Sequence, residues 1–187
     1  RQEIHGARFD VVDEHGYSLL NFSAVTGQTN LELYDYIISQ GANPAVERNR
    51  NGAHALLLVA PFMKDLRMSK YFEPFGLSLS DADDDGNNGW LYASKGGHVD
   101  MLKELLHQGM NAKFTNAAGE NAAHMAAQGT RGRSNGREVF QFLASQGVDV
   151  HVANEHGVTP MMLAAQGQSE RGALAYLVET ATDLHLQ

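Results

Sequence analysis

Glycine recurs along this chain in two interleaved series at a nearly fixed interval, and such a period restricts the fold to small units stacked on one another. One series runs Gly16, Gly52, Gly86, Gly119, Gly157, with steps of 36, 34, 33 and 38 residues. The second runs Gly6, Gly41, Gly76, Gly109, Gly147, and each member precedes the next of the first series by 10 or 11 residues.

Helix-start residues sit two places after most first-series glycines. Ser18, Asn88, Asn121 and Thr159 can each accept a hydrogen bond from the open amides of a first turn, and His54 stands as the exception. Pro160 follows Thr159 at the first helical position, where a missing N–H costs nothing. Each first helix then carries a compact pair: Ser23 and Ala24, Val59 and Ala60, Ala93 and Ser94, Ala126 and Ala127, Ala164 and Ala165. These pairs let neighbouring helices approach closely. Larger apolar residues recur at helical spacing in the second helices and predict the thicker wall of the core: Leu33, Tyr36 and Ile37, then Met101, Leu102, Leu105 and Leu106, then Val139, Phe140 and Leu143. Second-series glycines fall where these helices must stop in a left-handed conformation. Stretches such as GVDVHVANEHG are too short for a helix and too polar at the tip for a buried strand, which predicts a hairpin-like turn.

The segments NEHGVTPMMLAAQG at 154–167 and DDDGNNGWLYASKGGHVDMLKELLHQGMN at 83–111, with Gly97–His98 and His124, resemble the ankyrin repeat. The resemblance implies an all-α ankyrin-repeat solenoid, with about five helix-turn-helix units joined by hairpin-like turns. One domain then spans 1–187, with a partial unit at 1–12 and units at about 13–48, 49–82, 83–115, 116–153 and 154–187. In the second unit Pro61 and Pro74 predict a short or displaced second helix. The fourth is longer by the loop GTRGRSNGR between its helices. Residues 1–5 are expected to be the tail of a helix, and the terminal TDLHLQ to begin a hairpin, so that at least one end lacks a polar cap.

With 187 residues the chain can bury a sizeable core. It has no cysteine, which excludes disulfides, thiolate metal sites and cysteine nucleophiles. A net charge of -8 disfavours nucleic acid and anionic membranes as partners, and no apolar stretch approaches a membrane span. A protein surface, with a basic patch to match, fits this balance better, and the chain is expected to be a monomer by itself. The first residue is Arg1 rather than Met and no signal peptide follows, so a preceding segment is expected to have been removed. The compartment stays open between cytoplasm and bacterial periplasm.

Three segments imitate chemistry. DADDDGNNGWLY at 81–92 spaces Asp81, Asp83 and Asp85 like a calcium loop but ends on Tyr92 where a bidentate Glu must stand, so a solvated hairpin tip is the expectation. The chain has 9 histidines, but they are scattered, and His98 and His124 fall at structural places of the repeat. GTRGRSNGR lacks the Gly-Lys-Ser/Thr ending of a phosphate loop; its Arg131, Arg133 and Arg137 are expected to lie in a flexible insertion, with contact to an acidic partner spot as the sharper alternative. No catalytic constellation is recognisable, so neither catalytic residues nor a metal or other cofactor is expected and the chain is read as a non-enzyme.

By resemblance, the hairpin tips and the exposed ends of the first helices line a concave partner-binding face. Its candidate residues are Glu14, His15 and Tyr17; Arg50, Asn51 and Ala53; Asp84, Asp85 and Asn87; Ala117, Ala118 and Glu120; Glu155, His156 and Val158; and, at the helix ends, Thr26, Phe62, Lys95 and Gln128. Tyr17 and Phe62 would serve as anchors, while the acidic tips would speed encounter with a basic partner. Two functions match this description: a general protein–protein interaction module, or a dedicated inhibitor or immunity protein (antitoxin) that blocks one bacterial enzyme or toxin.

Overall fold

A computed structural model describes residues 11–129, 136–166 and 171–184. Helices alternate along the chain in two rows. The inner row holds α1 (Leu19–Val25), α3 (Ala55–Val59, continued by a 3₁₀ turn at Ala60–Phe62), α5 (Gly89–Gly96), α7 (Ala122–Gln128) and α9 (Pro160–Gln166). The outer row holds α2 (Leu31–Ser39), α4 (Arg67–Phe72, with a 3₁₀ turn at Glu73–Phe75), α6 (Val99–His107), α8 (Arg137–Ser145) and α10 (Arg171–Leu184). Successive inner helices touch from α1 to α9, and α8 contacts both α6 and α10. Each helix pair therefore hides its apolar side against its neighbours rather than within itself.

The compact pairs lie where that stacking is tightest. Ser23, Ala24, Val59, Ala60, Ala93, Ser94, Ala126 and Ala127 are all buried, whereas Ala165 is exposed because no described unit follows α9. At Gly96 the approach is so close that a Cβ would stand 1.8 Å from the Pro61 carbonyl oxygen. In the outer row Val139, Phe140, Leu143, Met101, Leu102 and Leu105 are buried, and Leu106 is half-buried. Tyr36 departs from expectation: it is 57% exposed, and Tyr34, two places earlier, takes the core position. Tyr34 stacks edge-on against Phe72 with ring centres 5.3 Å apart, and its hydroxyl donates to the Gln28 carbonyl at 2.8 Å.

Both glycine series have positive φ at every described member, for example +75° at Gly52 and +87° at Gly109. The expected caps are present, since Ser18, Asn88 and Asn121 accept amide protons of α1, α5 and α7 and Thr159 accepts that of Met162. His54 is no exception after all. Its Nδ1 accepts the Leu57 N–H at 3.3 Å, an imidazole doing what a hydroxyl or amide does elsewhere. The second unit has the short outer helix that its prolines predict, α4 spanning 6 residues where α2, α6 and α8 span 9. The terminal hairpin is overturned as far as it can be followed. Residues 182–184 continue α10, in which no glycine follows Gly172 to end the helix sooner. Gly6, residues 1–5, the rest of the terminal segment, and Arg131 and Arg133 lie outside the described residues.

Candidate partner-binding face

One local design repeats at all five tips. Three residues before each first-series glycine stands an Asp or Asn: Asp13, Asn49, Asp83, Asn116, Asn154. Its side-chain oxygen accepts two backbone amides, those two and four places on, as at His15 and Tyr17 or at His156 and Val158. The glycine N–H closes the turn onto the same residue's carbonyl, for instance Gly52 onto Asn49 at 3.1 Å. Neighbouring tips are then joined through the backbone: Asp84 N–H donates to Asn51 O at 2.9 Å, Ala117 N–H to Asp85 O at 3.0 Å, and Glu155 N–H to Ala118 O at 3.0 Å. Cap residues add a second set of links, Ser18 bonding Glu47, His54 meeting Asp81 at 3.1 Å, and Asn121 reaching the Asp149 carbonyl at 2.7 Å.

This scaffold leaves the candidate residues in two groups. Glu14, His15, Arg50, Asn51, Asp84, Asp85, Ala117, Glu155, His156 and Gln128 are exposed. Between the first two tips, His15, Tyr17, Asn49, Arg50 and Asn51 line a shallow depression of about 320 Å³. The others are engaged within the protein. Ala53 is buried rather than exposed, with 0% accessibility, and its N–H is held by the Asn49 side chain at 2.9 Å. Tyr17, Asn87, Ala118, Glu120, Val158, Phe62 and Lys95 are half-buried. The Phe62 ring lies where a Cβ on Gly27 would come within 2.7 Å of it, so it wedges the first repeat against the second. Thr26 is exposed as well, though its hydroxyl donates to the Phe22 carbonyl at 2.9 Å.

Asp83 organises the third tip. It is buried rather than solvated, and accepts from the Asp85 and Asn87 amides, the Asn87 side chain at 3.0 Å and the Tyr92 hydroxyl at 2.8 Å. Burial first, and then this bond to Asp83, hold the Tyr92 phenol far above the ordinary range, and Tyr17 is near enough to add to the effect. Lys95 lies 5.9 Å from the Tyr92 ring centre; burial lowers its ammonium below the ordinary lysine range, against the pull of Glu120, Asp83 and Asp85. Glu120 accepts the Asn116 side-chain amide at 3.0 Å and that of Gln128 at 3.4 Å. The middle of the inner face is thus a preformed polar network with aromatic walls, flanked by freely solvated tips.

His124 reaches the Val158 carbonyl of the next tip with Nε2 at 3.1 Å, and its Nδ1 accepts the Asn121 amide at 3.2 Å. His151 meets the Thr180 hydroxyl at 2.9 Å. Among the described residues, no three His, Asp or Glu side chains are grouped to hold a metal ion. Arg137, expected in the insertion, is instead the first residue of α8, where it pairs with Glu179 and lies over the Tyr176 ring, 5.5 Å from its centre, with its side chain still 42% exposed.

Sequence reasoning passed over Leu19 and Phe22, which are 41% and 50% exposed on α1. It met Asp83 and Tyr92 only as parts of an imitation calcium loop, and passed over the other turn-closing Asp and Asn residues. The latter carried a visible signal, a fixed spacing ahead of the glycine.

A family model for ankyrin repeats (3 copies) matches residues 63–154 and again 90–187. The chain belongs to the ankyrin-repeat family. Ankyrin repeats generally serve protein–protein interaction and are typically non-enzymatic. A curated Rickettsia felis protein named as an ankyrin repeat protein is 25% identical over 165 residues, which cover 86% of this chain and 40% of that relative. The chain thus spans well under half of that relative's length. Among the described residues no helix is long and apolar enough to cross a membrane.

Proposed function

We propose that this ankyrin chain is a non-catalytic binding module whose row of hairpin tips and inner-helix ends seats a partner protein carrying a basic patch. The observation that supports this most is the design of the tips. Each Asp or Asn fixes the loop backbone through its own side chain, so the two residues that follow it, all exposed save the half-buried Ala118, sit on a fixed mount and meet a partner with little ordering cost. Glu14, Asp84, Asp85 and Glu155 give that mount an acidic rim, and Tyr17, Phe22 and Phe62 supply apolar area beside it.

Capture of partners from the native host on the immobilised chain, followed by calorimetric titration of the purified partner, tests the proposal. Tyr17→Ala and the paired change Asp84→Lys with Asp85→Lys should each weaken binding about tenfold or more while shifting the thermal midpoint little. Parental affinity in both variants would remove this face from the assignment.

A further inference from the structure

Four of the five inner helices are capped by Ser, Asn or Thr, side chains whose capping does not depend on pH. The second is capped by an imidazole. Nδ1 of His54 accepts the Leu57 N–H, and Nε2 lies 3.1 Å from Asp81 Oδ2. Together these contacts assign the tautomer, because a nitrogen that accepts must be bare, so Nε2 carries the hydrogen and donates to Asp81. The residue is 1% exposed. A proton arriving at Nδ1 therefore finds no water to point at and meets the Leu57 N–H instead.

The same ring stands at the seam between the second and third repeats. Asp81 belongs to the third tip, and at this seam the tips touch through the Asp84 to Asn51 backbone bond, with Gly52 so close that a Cβ would fall 2.4 Å from the Asp84 carboxylate. We propose that His54 is an acid-released clasp: protonation at Nδ1 turns the cap acceptor of α3 into a donor, frees the first turn of that helix and loosens the second tip from the third. Partner binding across Arg50, Asn51, Asp84 and Asp85 then weakens in mildly acidic medium, a step that rests on the binding-face reading above.

The charged groups around the ring set the direction. Asp81 faces Nε2 and favours the charged ring; Arg48, in the segment leading to the second tip, opposes it. α1 contributes no ionisable side chain. On α5, Tyr92 is bonded to Asp83, and Lys95 interacts with Glu120, Asp83 and Asp85. On α4, Arg67 pairs with Asp65 and Tyr71 donates to Asp35, while Lys70 is exposed on the outer row. Burial outweighs the attraction of Asp81 and holds His54 below the ordinary histidine range, so the clasp is closed at neutral pH.

Hydrogen exchange read by NMR on the whole chain, corrected for the intrinsic rate, tests this at about pH 7.5 and about pH 5 alongside the ring titration of His54. Protection of the Leu57 and Asp84 amides should fall about tenfold on acidification, in step with the ring. His54→Asn installs the cap used by α5 and α7 and should abolish the fall. Asp81→Asn removes the charge that favours the protonated ring and should move the fall to lower pH. A ring already charged near neutrality, a ring that titrates while both amides stay protected, or an undiminished fall in His54→Asn would overturn the clasp. None of these readings needs a partner, so a misplaced binding face would leave them intact, whereas a wrong clasp would leave the two amides unresponsive.

Discussion

Residue by residue, the tips are built by side chains that close turns, and their removal should cost more than their surface position suggests. Asp83→Ala strips four acceptor contacts and leaves the Tyr92 hydroxyl without its carboxylate; unfolding in urea should show a loss of at least about 2 kcal/mol. Two glycines separate steric from conformational causes. Gly96→Ala drives a Cβ onto the Pro61 carbonyl and should destabilise by about 2 kcal/mol or more, unless the inner helices part. Gly109 has nothing within 4 Å of a built Cβ, so Gly109→Val should cost about 1 kcal/mol through its left-handed φ alone. An unchanged midpoint in either variant would refute the cause assigned to it. At this scale the glycines were legible because left-handed backbone has a near-unique residue signature. Ala53 and Tyr36 were not. Whether a tip position is open is decided only once the units stack, and Tyr34 and Tyr36 differ by a rotation about the helix that a short amphipathic segment leaves ambiguous.

Among the elements, the second helix pair departs most from its neighbours, and sequence foresaw this through proline. It did not foresee the cap, because an imidazole resembles a capping residue only when its tautomer and surroundings are known. Burial holds both His54 and His124 below the ordinary histidine range in the folded chain. In the unfolded chain each titrates near about 6.5. Between the folded and unfolded values the unfolded chain binds more protons, so stability rises with pH there. This contribution is complete above about pH 6.5 and is lost as pH falls from there through the folded values; urea midpoints taken along that range should decline towards acid, and a flat profile would contradict the neutral assignment of both rings. In the last pair, Arg137 binds α8 to α10 through Glu179 and the Tyr176 ring. Both charged partners are substantially solvated, so Arg137→Ala should cost no more than about 1 kcal/mol.

Across the whole molecule, stability is a sum of unit and junction terms, and the described ends have fewer junctions than the middle. Equivalent inner-row positions show the difference: Leu57 and Leu91 are 0% exposed, whereas Met162 on α9 is 52% exposed. Leu91→Ala should therefore destabilise by about 3 kcal/mol, and Met162→Ala by less than about 1 kcal/mol, in the same denaturant assay. Equal losses would mean that α9 is covered as fully as α5. The architecture was readable from sequence because its period is written in residues that every unit needs. The proposed binding face was readable only as a set of places, since which side chains reach solvent is decided between units.

Each tip holds two side chains between its turn-closing Asp or Asn and its glycine, from Glu14 and His15 at one end of the row to Glu155 and His156 at the other. The loop's shape is dictated by the residues on either side of them, so these pairs work like interchangeable letters set in a fixed frame. Such a chain can exchange one correspondent for another by respelling a few letters, and its descendants can diverge in whom they greet long before they differ in form.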